Sequence, residues 1–301
     1  MHDQGKNSLI RKVFIIVVVV LLVLFILACC MIWQNNWSVE PPSTVAISGS
    51  LEESIQWLFD NRMTILQDGN PMLWWMVGES AKLTGDARLR GLFEDYESVL
   101  KRYPDNVWHH IFNPASTIPV RMWQISGLPD YNIYFLYGLT CDEELAKEEV
   151  VRRQSEVGFC DEHHPISPAC VTHQLMGVRF MQRRKCGNPE EVQRLIEALQ
   201  KKIVQQLTWD TRVVDVYIQR VLMLTESGAR ERVKPVWLKN ILERQLKDGG
   251  WSDFDPIAPV GSFRYLGFTG RGIGIRNLRS GFHATAQGVF LMSLLSNESK
   301  E

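Results

Sequence analysis

The chain reads as an all-α protein, with an N-terminal transmembrane helix followed by an α/α-toroid-like domain of helical hairpins. Three observations predict this. Residues Val13 to Trp33 are 21 consecutive residues without a charge. Beyond them, apolar residues recur at steps of three and four almost to the C-terminus. Amphipathic segments also take turns with segments that are apolar on several faces. Two concentric layers produce that alternation, outer helices facing water and inner helices facing a central space. An irregular helical bundle is the competing architecture.

Hydrophobic residues make up 45% and charged residues 22%, which excludes a wholly disordered chain. Lys and Arg total 33 against 34 Asp and Glu, a net charge of -1. That balance argues against a nucleic-acid partner held by bulk positive charge.

The first element is the apolar run. A helix rises about 1.5 Å per residue, so roughly 20 residues span a bilayer core of about 30 Å. A secretory apolar region is usually only about 7–15 residues, so the length favours a retained signal-anchor over a cleaved signal. Lys6, Arg11 and Lys12 precede the run, whereas Glu40, Glu52 and Glu53 follow it before the next cation, Arg62. The positive-inside rule then leaves residues 1–12 as a cytosolic tail, 13–33 as the membrane span and the rest outside. A long cleaved signal remains an alternative. So does a bacterial lipoprotein signal at Ile26-Leu27-Ala28-Cys29, where Leu27 is large for its place. All three export the same domain, to the extracytoplasmic or luminal side.

Cys29 and Cys30 lie in the apolar run, which leaves Cys141, Cys160, Cys170 and Cys186 outside it. An even number in an oxidising compartment predicts two disulfides, with three pairings open. A zinc site would draw on the same cysteines with His163, His164 and His173, but no close C-x-x-C pair is present, and no metal is expected. No cofactor is expected either. Two sequons, Asn36-Trp37-Ser38 and Asn297-Glu298-Ser299, are available to a host that glycosylates.

Residues 34–50 are polar, contain Pro41-Pro42, and read as a tether. The exported domain then runs over 51–296, with 297–301 as a tail. Its expected helices, in order, are amphipathic Glu52–Leu66, apolar Pro71–Leu83 stopping at Gly85, and amphipathic Ala87–Tyr103. Trp108–Ser126 is expected to be a long loop. Apolar Val171–Arg184 stops at Gly187. Pro189 and Pro235 open two further amphipathic segments, since the N–H that proline lacks would be unpaired at a helix start. Between those two lies Thr211–Thr225, apolar on more than one face, and His283–Leu295 is the last apolar helix. Trp57, Phe59, Trp74 and Trp75 are read as core. His163-His164-Pro165 is read as part of a disulfide-bounded loop.

Between Gly261 and Gly281 stand six glycines with Arg264, Arg271, Arg276 and Arg279. The segment reads as a flexible basic loop that could cover an anionic ligand. Its Gly270-x-Gly272-x-Gly274 spacing follows no strand and matches neither a dinucleotide fingerprint nor a P-loop.

Gln245-Leu-Lys-Asp248-Gly249-Gly250-Trp251 resembles the Q-x-x-D-G-G-W turn of α/α-toroid proteins: terpenoid cyclases, protein prenyltransferase β subunits and complement thioester domains. The glycines let the backbone leave a helix sharply, Asp248 can bond free N–H groups, and Trp251 can cover the helix end. His283-Ala284-Thr285-Ala286 resembles the start of an inner helix in the same proteins. Thr172-His173-Gln174-Leu175, running to Cys186-Gly187, resembles a segment of an uncharacterised family that includes a secreted vertebrate protein. That second resemblance covers roughly 160–296. In it, Cys170 and Cys186 match family cysteines, whereas Asp248-Gly249-Gly250 and Gly281-Phe282 replace cysteine-bearing pairs. It implies export and a toroid-like helical domain, and no activity.

The acidic clusters of terpenoid cyclases (D-x-D-D and D-D-x-x-D) are absent, and Asp253-Phe254-Asp255 is the nearest string. His283 matches a zinc-binding histidine of prenyltransferases, but the partner D-x-C is missing, and Asp215-Val216-Tyr217 stands in that region without a thiol. Two function classes follow. One is a non-enzymatic domain binding a protein or small anionic ligand. The other is an enzyme of the toroid cavity, a hydrolase or lyase acting on glycan or lipid, with His173, His283 and Asp248 or Asp255 as candidates. Helix N-termini suit anions, and histidine serves as acid, base or ligand near neutral pH.

Overall fold

The computed structural model describes residues 3–113, 115, 116 and 118–298. The first two residues of the tail expected to be cytosolic lie outside them, as do residues 299–301, which include Ser299 of the second sequon. Helix α1 (Asp3–Gln34) is followed by α2 (Thr44–Asp60), α3 (Arg62–Ile65), α4 (Pro71–Thr84) and α5 (Ala87–Leu100). Next come the short α6 (His109–Phe112) and α7 (Met122–Ile125), then α8 (Asp130–Thr140), α9 (Glu143–Lys147), α10 (Glu149–Gln154) and α11 (Phe159–His163). The remaining helices are α12 (Cys170–Arg184), α13 (Pro189–Trp209), α14 (Asp215–Glu226), α15 (Pro235–Glu243) and α16 (Phe282–Glu298). Between α15 and α16 lie three strands, β1 (Phe254–Pro259), β2 (Arg264–Thr269) and β3 (Gly272–Asn277). The fold is mostly all-α, as the periodicity predicts.

The inner layer closes on itself. Helix α4 packs on α16, α16 on α14, α14 on α12 and α12 on α8, and α6 joins α8 back to α4. Outer helices α2, α5 and α13 cover α16, α4 and α12. The outer helix α13 buries Val192, Leu195, Ile196, Leu199, Ile203 and Leu207 along one stripe, whereas α14 is buried on all sides. Small residues let α8 and α12 approach closely: a Cβ on Gly138 would stand 2.6 Å from the Gly177 carbonyl oxygen. The middle of the ring is plugged by one aromatic from each of four inner helices. Trp75 lies 5.2 Å from Phe180 and 5.5 Å from Phe290, and Phe180 lies 5.8 Å from Phe135, all edge to face.

Two disulfides, Cys141–Cys186 and Cys160–Cys170, clamp α12 at both ends. Cys170 is the first residue of α12, and Cys186 follows its left-handed cap Lys185. All four sulfurs are therefore committed, and the zinc alternative loses its thiolate ligands. His163 and His164 fall inside the smaller disulfide loop, as expected.

Three expectations need correction. The polar tether does not hang free. α2 begins at Thr44, inside it, with Ser43 as N-cap. Asn35, 4% exposed, donates to the Leu207 carbonyl and accepts from the Tyr217 hydroxyl and the Asn240 amide. Asn36 donates to the Ile32 and Thr208 carbonyls and accepts from Lys234. Its amide nitrogen is thus occupied, so the first sequon is closed in the folded chain. Second, the Trp108–Ser126 loop contains α6 and α7. Third, the glycine-rich segment is not a flexible loop. Most of it forms β2 and β3 of an antiparallel meander in the order β1-β2-β3. Gly267 is there because strands pack tightly: a Cβ would stand 2.3 Å from the Asp255 carbonyl oxygen.

α1 contains a 24-residue stretch, Arg11–Gln34, long and apolar enough to cross a membrane, and an 18-residue window within it has a mean hydropathy of 3.7. None of that window is buried in the protein.

Candidate functional site

The five long inner helices aim their N-termini at one end of the ring. Asn70 and Pro71 at the start of α4, Asp130 and Tyr131 of α8, Cys170 and His173 of α12, Asp215 and Val216 of α14 and His283 of α16 all line two cavities there. One has a volume of about 460 Å³ and the other about 340 Å³, and Tyr131 and His173 line both. Phe135 belongs to the aromatic plug and also lines the second cavity, so the plug is its floor.

His173 stacks on Tyr131 at 4.4 Å and meets Phe135 edge-on at 6.0 Å. Surrounding protein, and then neighbouring His283, push its pKa down to about 4, so its imidazole is neutral at pH 7. His283 Nδ1 stands 4.0 Å from Asp215 Oδ2, with the His283 side chain 51% exposed. That separation suits an ion pair or one bridging group, not a direct hydrogen bond. Burial raises the pKa of Asp215, opposed by His283. Gln219 accepts from the Thr172 hydroxyl at 2.8 Å. Gln287, only 1% exposed, has an Oε1 without a partner. A buried amide oxygen left bare costs about 1–3 kcal/mol, so something that donates to it there is stabilising.

The cavity wall at Pro168–Cys170 is braced from behind. Buried Arg220 donates to the Pro168 carbonyl and to Asp210, which also binds Arg212. Burial works against ionisation of Asp210, but the two guanidinium groups outweigh it and hold its pKa below the usual carboxylate value.

The structure thus brings His173 and His283 together and separates them from the other expected residues. Asp248 is a turn-former: it accepts from the Gly250 N–H, the Ser280 hydroxyl and the Trp57 indole. Gly249 has φ +91, and a Cβ there would stand 2.3 Å from the Glu53 carbonyl oxygen. Trp251 is buried and donates to the Ile241 carbonyl, covering the end of α15. Asp255 pairs with Arg244 at 2.9 Å and accepts from the Val213 N–H, on the far side of the sheet's root. Neither acid reaches the histidines. The four arginines also divide. Arg271, at the β2–β3 turn, lines the larger cavity, whereas Arg264, Arg276 and Arg279 line a separate open cleft.

Sequence reasoning missed Asp215 as the cavity carboxylate, along with Gln219 and Gln287. Asp215 stands at the first turn of a helix buried on all sides, but that helix also carries Gln219 and Arg220, so its sequence alone does not single the acid out. No family model, curated protein or solved structure matches the chain.

Proposed function

We propose that the chain is a single-pass membrane protein, N-terminus in the cytosol, whose exported helical ring binds a small polar ligand in the cavity at its open end. The carrying observation is the convergence of five helix N-termini on two cavities that share neutral His173, with Asp215 lining the larger and its neighbour His283 lining the smaller together with Gln287, whose buried oxygen has no partner. Partial positive charge at the helix ends, with Arg271 at the wall, favours an acidic group on the ligand. Gln287 asks for a hydroxyl or N–H. Tyr131 and His173 offer a flat apolar face. The anchor reading is supported by the exposed apolar length of α1 and by disulfides that suit an oxidising lumen or exterior.

A second reading, an enzyme of the same cavity, is favoured by one observation. Asp215 is biased towards holding its proton and stands beside a histidine, an acid–base arrangement suited to hydrolysis or elimination.

The test is a thermal-shift screen of the full chain in lipid nanodiscs against simple hydroxy acids, uronic acids and phosphate monoesters. At least one should raise the melting temperature of the wild type, and Gln287→Leu should remove the rise. If no compound stabilises the wild type beyond Gln287→Leu, the binding reading fails. Turnover of a stabilising compound that His283→Ala abolishes would establish the enzyme.

A further inference from the structure

The surface around the exit of α1 has a composition of its own. Trp33 and Trp37, exposed with ring centroids 4.2 Å apart, flank the point where Asn35 and Asn36 enter the domain. Trp209, also exposed, follows Leu207 and Thr208, the residues whose carbonyls receive those two asparagines. Three exposed indoles thus surround one helix exit, the composition of a bilayer's interfacial zone.

The meander continues this surface. Paired residues share a face of a sheet. The register therefore puts Asp255, Phe268 and Ile273 in one row, Ala258, Leu266 and Ile275 in the next, and Arg264 with Asn277 outermost. Asp255, at the root of that face, lines the same cleft as Met31, Gln34 and Asn35 at the end of α1. The apolar face thus begins where the membrane helix arrives. Ile273 is 68% exposed, and Ile257 and Ile275 are exposed too. From Gly261 to Gly281 the chain has four arginines and no acid. Bulky apolar side chains in contiguous rows, rimmed by cations, suit an anionic lipid surface better than water.

We propose that this face is a second membrane contact. The indoles, Ile273 and Ile275 lie at the boundary between headgroups and acyl chains of the leaflet that α1 leaves, and Arg264 and Arg279 meet lipid phosphates. The ring is thereby held down on the bilayer instead of swinging from a tether. The proposal rests on α1 being a membrane anchor, and the test separates the two.

The full chain carrying Cys29→Ser and Cys30→Ser retains only the four disulfide cysteines. Single cysteines replacing Ile273, Ile275, Glu190 or Val20 are labelled with bimane. The proteins are reconstituted in phosphatidylcholine vesicles containing phosphatidylglycerol and doxyl-labelled lipid. Glu190 stands at the other end of α13 from Trp209, about 30 Å along the helix, and its label should keep its emission. The Val20 label should lose emission to lipid doxyl placed deep in the acyl chain. Labels at Ile273 and Ile275 should lose most of theirs to doxyl placed near the headgroup, and become shielded from acrylamide in the water. An unquenched Val20 overturns the anchor. A quenched Val20 with Ile273 and Ile275 bright and open to acrylamide overturns the second contact alone.

Discussion

The two halves of the ring are built from the same helices and differ in what fills them. Midway along, Trp75, Phe135, Phe180 and Phe290 interlock ring edge to ring face, with no charged side chain among the four. At the N-terminal end the same helices present His173, Asp215, His283 and Gln287 to open space. A helix start has unpaired N–H groups, which apolar filler cannot satisfy. Inner helices that begin together therefore create a polar end, and stability must come from elsewhere along them. Apolar packing and unpaired polar groups are thereby assigned to different stretches of the same helices.

The plug is where the largest loss is expected. Trp75→Ala removes the ring that touches two neighbours at once and should cost about 3–5 kcal/mol. Thermal or denaturant unfolding of the full chain would measure it. A loss below about 1 kcal/mol, the scale of an ordinary substitution, would mean that the plug does not carry the ring.

The disulfides sharpen the contrast between the two ends of α12. Cys141–Cys186 closes a loop of sequence separation 45 at the plug side, and Cys160–Cys170 one of 10 at the cavity side. On the loop-entropy account, replacing the first pair by serine costs about 4 kcal/mol and the second about 2.7 kcal/mol. The shorter bridge also holds the cavity wall at Cys170, so its loss should weaken ligand binding more than its smaller stability cost suggests. Calorimetry of the two double-serine variants, with and without a stabilising compound, would check both orders.

Acid titration reaches the polar end through His173. The folded-state pKa of His173, about 4, lies below its ordinary 6.5, so in that window the unfolded chain binds the proton more readily. The contribution is complete above pH 6.5 and is lost as pH falls towards 4. Its ceiling is about 3 kcal/mol, reduced to the extent that cavity water reaches the ring. His173→Gln should flatten the melting temperature against pH over that interval. An unchanged slope would assign the acid sensitivity to other groups.

Legibility along the chain followed the strength of periodic signals. The amphipathic stripe of Pro189–Trp209 and the apolar runs of α4, α12 and α16 were readable because helices bury whole faces. The cysteine count predicted two bridges, though the pairing depends on how α8, α11 and α12 meet. β2 and β3 were unreadable as strands because glycines alternate with apolar residues at Gly267, Gly272 and Gly274 on the more covered face, while Ile273 and Ile275 stand exposed, which reverses the usual pattern and mimics a loop. The docked Asn35 and Asn36 were unreadable because their partners lie 172 to 205 positions away. In the site, histidines near helix starts could be anticipated. Asp215 and Gln287 could not be ranked above other polar residues without knowing which helix ends converge.

The smallest expected effect on stability discriminates most sharply between the two halves. His283 is half exposed to the cavity and makes no hydrogen bond shorter than its 4.0 Å approach to Asp215. His283→Ala should therefore change the unfolding free energy by no more than about 0.5 kcal/mol, the range of an exposed substitution. It also removes the imidazole whose interaction opposes burial at Asp215, so that carboxyl should hold its proton more firmly in the variant. A carboxyl-specific NMR titration would read this as an upward move of the Asp215 midpoint. Unchanged stability with a shifted Asp215 identifies a pair kept for chemistry or binding, because nothing in the fold depends on it. A stability loss as large as that of Trp75→Ala would instead make His283 part of the scaffold, and the division between a dry middle and a working end would fail.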